Sequence, residues 1–451
     1  MSTFPLVTHR RADDIVAYSV GLPITVARFL ADVRQLAAAL PAGRHVLNVC
    51  GDRYRFAVGM AAALLADKVS LLPPTLTPEM VSQVKSFAPD VFCLSDQPQT
   101  IDMPQFSWAD AVTQCVPDGG IDIPQIPASR IAAIAFTSGS TGTPVAHHKS
   151  WGALVLSVRA EAARLGLLED RPCSIVATVP PQHMFGLEST VLIALQSGAT
   201  IVAAHPFFPA DICSALAAAQ RPRMLVTTPV HLKVLLASGL DIPVADLVLS
   251  ATAPLSPQLA QAAEARLKAP LFEIYGSTET GQIASRRTIE GPEWTLFPGV
   301  RLSSSQERTW ASGGHVAQPL AMADALELLS ADRFLLHGRN ADLVNIAGKR
   351  SSLGYLNHQL NAVAGVTDGA FFMPDDEDGG KVTRLMAFAV APGMTAPSLL
   401  AALRQRIDAV FIPRPLILVD ELPRNSTGKL PRQTLAALAR EHANKSATDA
   451  I

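Results

Sequence analysis

Two periodicities alternate along the first two thirds of the chain. Stretches with apolar residues every three or four positions predict amphipathic helices, and short unbroken apolar runs predict buried strands. Helices are expected at residues 23–40, 57–66 and 80–88, and strands at 45–50, 69–72 and 91–94. Residues 121–129, with two prolines, read as a connector. The alternation then resumes, with strands at 131–137, 174–179, 199–203, 224–227, 247–250 and 271–275. Helices at 151–166, 190–198, 209–219 and 257–267 lie between them. Regular strand–helix alternation predicts an α/β fold built on parallel sheets.

Beyond residue 283 the pattern changes to short runs at 294–301, 327–329 and 333–336, the mark of antiparallel strands and a β-rich subdomain. A second shift falls at Gly338-Arg339. The remainder of the chain reads as a small α+β unit, with helices at 353–362 and 397–407 and strands at 366–373, 383–390 and 415–418. The expected division is a large N-terminal domain (1–338), a small C-terminal domain (339–441) and a frayed tail (442–451). The acidic run at 375–380 between two strands reads as a solvated hairpin loop, with metal binding as the alternative.

Composition narrows the function classes. Of 451 residues 49% are apolar and 17% charged, a folded composition rather than a disordered one. Lys and Arg total 37 against 39 Asp and Glu, and a net charge of −2 argues against a nucleic-acid binder. No apolar stretch approaches the roughly 20 residues that span a bilayer, so no stable membrane insertion is expected. The first 14 residues are polar and lack the apolar core of a secretory signal, so a cytoplasmic location is expected. The five cysteines are scattered with no C-x-x-C spacing, as expected of reduced, structural thiols.

Four segments carry candidate chemistry. Phe136-Thr137-Ser138-Gly139-Ser140-Thr141-Gly142 runs from an apolar strand into small residues and hydroxyls. Glycines let backbone N–H groups approach an anion and hydroxyls add donors, which describes a phosphate cradle as well as a flexible surface loop. No Walker A spacing is present. Tyr275-Gly276-Ser277-Thr278-Glu279 follows another strand and offers an aromatic ring, hydroxyls and a carboxylate suited to Mg²⁺; it also suits a helix cap. The third segment joins Gly338-Arg339 to Asn345-Ile346-Ala347-Gly348-Lys349-Arg350, and the fourth is Ser426-Thr427-Gly428-Lys429. A lysine on a glycine-containing loop can bring a point charge to an anionic transition state.

Together and in this order, these segments resemble the adenylate-forming superfamily: acyl- and aryl-CoA synthetases, adenylation domains of peptide synthetases, and luciferases. Thr137–Gly142 matches its T-S-G-S-T-G loop, Tyr275–Glu279 its Y-G-x-T-E motif, and Gly348-x-Arg350 its G-x-R. Asp324 lies 15 residues before Arg339, and Lys429 matches the lysine near the C-terminus. The resemblance spans about residues 45–435. It implies an ATP-dependent acid–thiol ligase with Mg²⁺ as metal and CoA, or the phosphopantetheine of an acyl carrier protein, as acceptor. It implies that Thr137, Ser138, Gly139, Ser140, Thr141 and Gly142 hold the phosphates and that Tyr275 and Gly276 meet the adenine. Ala251, in the Ser250–Pro254 strand end, joins the adenine side. Thr278 contacts the α-phosphate, Glu279 binds Mg²⁺, Asp324 and Arg339 hold the ribose, and Lys429 is catalytic. His183, Phe185 and Gly186, in an H-x-x-G segment, border the acid with Thr252, Ala253 and Gly348. The small C-terminal domain is expected to rotate between the two half-reactions.

Several positions depart from the pattern. Val145 stands where the phosphate loop usually carries lysine, leaving His147, His148 or Lys149 to replace its charge. The hinge region reads Ala341-Asp342. The short chain and the T-S-G-S-T-G-x-P-V-x-H variant look like the aryl-acid ligases of xanthomonadin and aryl-polyene pigment pathways, implying a hydroxybenzoate-type acid. A fatty-acyl ligase and a non-catalytic nucleotide-binding relative are the alternatives.

Overall fold

The computed structural model describes residues 2–110, 112, 121–137, 145–168, 172–305, 308–339, 343–346, 349–374, 385–424 and 430–448. Two sheets dominate. In the first, of six strands, the order is Val145–Ser150, Ile131–Thr137, Val69–Leu72, His45–Asn48, Phe92–Ser95 and Gln105–Ser107. All its pairings are parallel except that of Val145–Ser150 with Ile131–Thr137, which forms an antiparallel edge. The second sheet has eleven strands. Its parallel centre runs Leu271–Ser277, Leu247–Ser250, Arg223–Thr227, Ser174–Ala177, Thr200–Val202 and Ile15–Ser19. The antiparallel strands Gly281–Arg286, Trp294–Leu296, Arg333–Arg339 and Asp324–Leu328 extend one side.

The parallel strands are buried on both faces, which explains their unbroken apolar runs: Leu247–Ser250, Ser174–Ala177 and Arg223–Thr227 are buried at every position. Between the sheets lies one large core containing Phe29, Phe56, Trp151, Leu187 and Phe297. A three-stranded meander (Arg301–Ser305, Arg308–Gly313, Val316–Ala321) supplies the β-rich part expected beyond residue 283. The C-terminal unit has its own core of Leu356, Leu360, Phe371, Leu399 and Leu403. Its three-stranded sheet joins Asp368–Phe372, Met386–Val390 and Leu416–Leu418.

Four expectations are corrected. The predicted helix at 23–40 begins only at Val26, because Leu22–Thr25 pairs with Ile15–Ser19 as an edge strand where Pro23 is tolerated. The connector at 121–129 contains the strand Gln125–Pro127, paired with Thr3–Pro5. The helix expected from Thr190 starts at Met184, passes through a π-helical stretch at Leu187–Leu192 and ends at Ser197. The tail expected to fray continues a helix, Arg432–Thr448. The structure also adds a helix that the sequence pattern does not predict, Pro229–Ala237, begun by Thr228 and Pro229.

Cys50, Cys93 and Cys173 are buried and free, and Cys213 is half-buried and free. Burial raises the thiols of Cys93 and Cys173 to about 11 and about 12, so both are inert at neutral pH. Among the described residues no helix is long and apolar enough to cross a membrane.

Candidate active site

In open α/β sheets, ligands bind beyond the carboxyl ends of the parallel strands. Those ends carry the motif residues here. Thr137 closes Ile131–Thr137, Ala251 to Ala253 follow Leu247–Ser250, and Tyr275 to Glu279 close and follow Leu271–Ser277. His183 follows Ser174–Ala177.

The Tyr275–Glu279 turn is shaped by a glycine. Between Tyr275 and Gly276 the register with Gly281–Arg286 shifts. A Cβ on Gly276 would lie 2.2 Å from the Gly281 carbonyl oxygen, so no other residue fits this close crossing. Ser277 and Thr280 then clamp the turn, each backbone N–H donating to the other's hydroxyl at 3.2 Å. The Tyr275 ring packs against Trp294 and Phe334, with centroids 5.6 Å away in each case. Its hydroxyl donates to Asp324 Oδ2 at 2.6 Å. Asp324 is in turn the backbone partner of Arg339 across an antiparallel pair. The 15-residue spacing between those two is therefore the length of one hairpin.

The Val145–Ser150 strand ties the two sheets together at the site. Its alternation places His147 and Lys149 on one face and His148 on the other. His147 Nε2 lies 2.9 Å from Thr137 Oγ1 and 3.7 Å from Glu279 Oε1. Lys149 is buried, and its Nζ donates to the Glu279 carbonyl at 2.8 Å. His148 and Val145 are exposed. Desolvation pushes the Glu279 carboxyl up, but its own backbone N–H, the Ser277 hydroxyl, His147 and Lys149 together bring it below its ordinary range. It is an ionised, half-exposed oxygen donor, the chemistry Mg²⁺ requires. Burial lowers His147 and Lys149 from their ordinary values, partly offset by Glu279 for both and by Glu188 for Lys149.

The strand end at Ser250 to Ala253 has two unusual features. Thr252 sits at φ +79°, a left-handed conformation that a β-branched residue adopts only under constraint. Ser250 Oγ and Thr252 Oγ1 are buried without a hydrogen-bond partner. Two orphan hydroxyls beside the Tyr275 turn fit a polar ligand such as a nucleotide.

His183 caps the helix that starts at Met184, its Nδ1 accepting from the Phe185 N–H at 3.3 Å. Gly186 is again dictated by a close approach: a Cβ there would lie 2.0 Å from the Pro180 carbonyl oxygen. Phe185 is buried in the inter-sheet core. His231 Nδ1 lies 2.7 Å from Thr178 Oγ1. Ser138 to Gly142, Gly348, Lys429 and the Ala341-Asp342 hinge lie outside the described residues, as does the acidic run. The structure thus joins Thr137, Tyr275, Glu279 and Asp324 into one constellation and adds two residues that the sequence leaves undecided, His147 and Lys149. Their signal is the H-H-K alternation on a strand leaving the phosphate loop.

Comparison with known proteins places the chain in a family. The chain belongs to the AMP-binding enzyme family, whose model matches residues 7–332. It is similar to a 4-coumarate–CoA ligase of Rhodobacter capsulatus, 31% identical over 277 residues, covering 61% of this chain and 68% of that protein. It is also similar to a 3-hydroxybenzoate–CoA/4-hydroxybenzoate–CoA ligase of Thauera aromatica, 25% identical over 354 residues, 69% of this chain and 67% of that protein. Among solved structures, ATP-bound MatB from Rhodopseudomonas palustris superposes with a TM-score of 0.79 at 19% identity, covering 95% of this chain and 96% of that one. The o-succinylbenzoate CoA synthetase of Bacillus subtilis, in complex with its acyl-adenylate, gives 0.80 at 17% identity, covering 96% and 98%. The mixed α/β architecture is that of these adenylate-forming enzymes.

Proposed function

We propose that this AMP-forming acid–CoA ligase acts on a hydroxybenzoate-type aryl acid. The observation that carries the ligase reading is the joining of Thr137, Glu279, Tyr275 and Asp324 at the strand ends of two sheets. In the first half-reaction a carboxylate oxygen attacks the α-phosphorus of ATP and pyrophosphate leaves. In the second, a thiol attacks the carbonyl of the acyl-adenylate and AMP leaves. Mg²⁺ supplies charge neutralisation on the phosphates. Glu279 is the residue that would hold it. Thr137 and the Ser138–Gly142 loop hold the phosphates, with Thr278 at the α-phosphate. Asp324 and Arg339 hold the ribose, and Tyr275 and Ala251 flank the base. Lys429 offsets the charge that grows as two anions meet.

His183, Gly186, Thr252 and Ala253 border the acid. Support for an aryl acid comes from the similarity to ligases of 4-coumarate and of 3- and 4-hydroxybenzoate, and from the T-S-G-S-T-G-x-P-V-x-H stretch. The acceptor is CoA, or the phosphopantetheine of an acyl carrier protein in a pigment-type pathway; Arg404, Arg406 and Arg414 are the candidate contacts for such a carrier. The C-terminal unit from residue 339 acts as the lid that delivers Lys429.

The test is ATP–pyrophosphate exchange across benzoate, its 3- and 4-hydroxy forms, cinnamates and fatty acids. Exchange confined to the hydroxybenzoates is expected. Exchange with fatty acids alone would keep the mechanism and replace the substrate class.

A further inference from the structure

The turn that carries Glu279 rests on a buried polar layer that the adenylation chemistry does not require. Lys149 is one member. Glu188, on the π-helical stretch, is 2% exposed and accepts from Ser157 Oγ at 3.0 Å. Glu161 is fully buried beside it and accepts from Ser189 Oγ at 2.8 Å. The Glu188 carboxylate presses on the end of the turn: a Cβ on Gly281 would lie 3.1 Å from its Oε1. His315 lines the same spot, its Nε2 buried and without a partner.

Burying an ammonium costs several kcal/mol unless a counter-charge and hydrogen bonds compensate. Here the counter-charges are the carboxyl groups of Glu188, which burial raises to about 7, and of Glu279, while the hydrogen bond goes to a backbone carbonyl. That carbonyl belongs to Glu279. The Glu279 side chain is 43% exposed, so its place depends on where its backbone is held. Lys149 is also 8% exposed, and its ammonium hydrogen bond is directed at the Glu279 backbone.

We propose that Lys149 is a positioning residue: its ammonium fixes the Glu279 carbonyl and so sets where the Glu279 carboxylate meets Mg²⁺. This rests on the reading of Glu279 as the metal carboxylate. It also answers which residue replaces the missing phosphate-loop lysine: not Lys149, which serves the metal side, while His147 faces Thr137.

The experiment is calorimetric titration of the full-length protein with ATP, with and without Mg²⁺, joined to pyrophosphate exchange as a function of Mg²⁺. Lys149→Met keeps the length and removes the donors. It should raise the half-saturating Mg²⁺ by about tenfold or more, as loss of a partner that orients a metal ligand does. Metal-free ATP affinity and the KM for the acid should stay at wild-type values. Lys149→Gln, which keeps an N–H for the carbonyl, should recover part of the loss and carries the test if the Met variant does not fold. Glu188→Gln should shift the Mg²⁺ dependence in the same direction by less. An unchanged Mg²⁺ dependence in both Lys149 variants would overturn the proposal, as would a loss of metal-free ATP affinity, which would place the ammonium on the phosphates. Wild-type protein that binds no Mg·ATP would instead overturn the reading of the site.

Discussion

Two buried cations flank the candidate site, and the fold treats them differently. Arg53, at the head of the Arg53–Leu65 helix, is wholly buried and donates only to neutral oxygens: Ala177 and Val179 carbonyls and the Thr190 hydroxyl. Burial pushes it down to about 10, so it keeps its charge. Lys149 is buried too, but it donates to the Glu279 carbonyl, and the Glu188 and Glu279 charges favour its charged form. A guanidinium has five donors in a rigid fork and can staple several segments at once, here with the Asp52 charge beside it. Whereas the Lys68 ammonium holds two carbonyls, Pro41 and Gly43, that of Lys149 feels the Glu188 and Glu279 charges and gives one directed contact. The first arrangement builds walls, and the second holds a single atom in place.

The largest effect should come from a third cation, the one assigned to act directly. Lys429→Ala should lower pyrophosphate exchange by about 10²- to 10³-fold while leaving the melting temperature unchanged. Normal turnover would remove Lys429 from the mechanism. Arg53→Met should do the opposite. Stripping carbonyls of their buried partner should cost about 3–4 kcal/mol in urea unfolding, with exchange per folded molecule retained. A stable but inactive Arg53→Met would break the distinction between wall and positioner.

A pH series sharpens the comparison from the Lys149 side. Burial and then Lys149 lower His315 to about 4. The fold therefore prefers neutral His315, whereas the unfolded chain takes up a proton near pH 6.5. The His315 contribution to stability is complete above pH 6.5 and is lost as the pH drops toward 4, by up to about 3 kcal/mol, while the raised Glu188 carboxyl contributes in the opposite sense over the same window. Urea midpoints of the wild type and of His315→Gln, compared across that window, should diverge as the pH rises by the His315 contribution, and parallel curves would remove His315 from the linkage. The smallest effect should be that of His147→Ala. An exposed-edge pair is worth about 0.2–1 kcal/mol, so the KM for ATP should rise only a few-fold in steady-state assays. A collapse of activity there would move His147 into the group that acts directly.

Much of the site is legible in the sequence because it lies where apolar strands stop. The boundaries of Ile131–Thr137, Leu247–Ser250 and Pro257–Leu267 match their sequence patterns to the residue. Gly276 announces a turn, although its cause is a close crossing rather than a left-handed backbone. The hidden parts are set by distant partners. Met184 to Ser189 reads as a loop because Gly186 breaks helical patterns, yet the Pro180 carbonyl leaves room for nothing larger. Lys149 reads only as one of three candidates to replace the missing loop charge, because nothing local reveals Glu188, 39 residues on, or the opposite sheet. Thr3–Pro5 and Gln125–Pro127 are too short to signal and exist only by pairing with each other.

The pairing of Asp324 with Arg339 has a mechanical side. The strand that ends at Arg339 is the last of the large sheet before the chain leaves for the C-terminal unit. The proposed ribose contact and the exit of the chain therefore share one rung of one ladder. A swing of the C-terminal unit would have its axle at the sugar of the nucleotide rather than at a remote linker, so the arm carrying Lys429 would be aimed from the bound nucleotide itself.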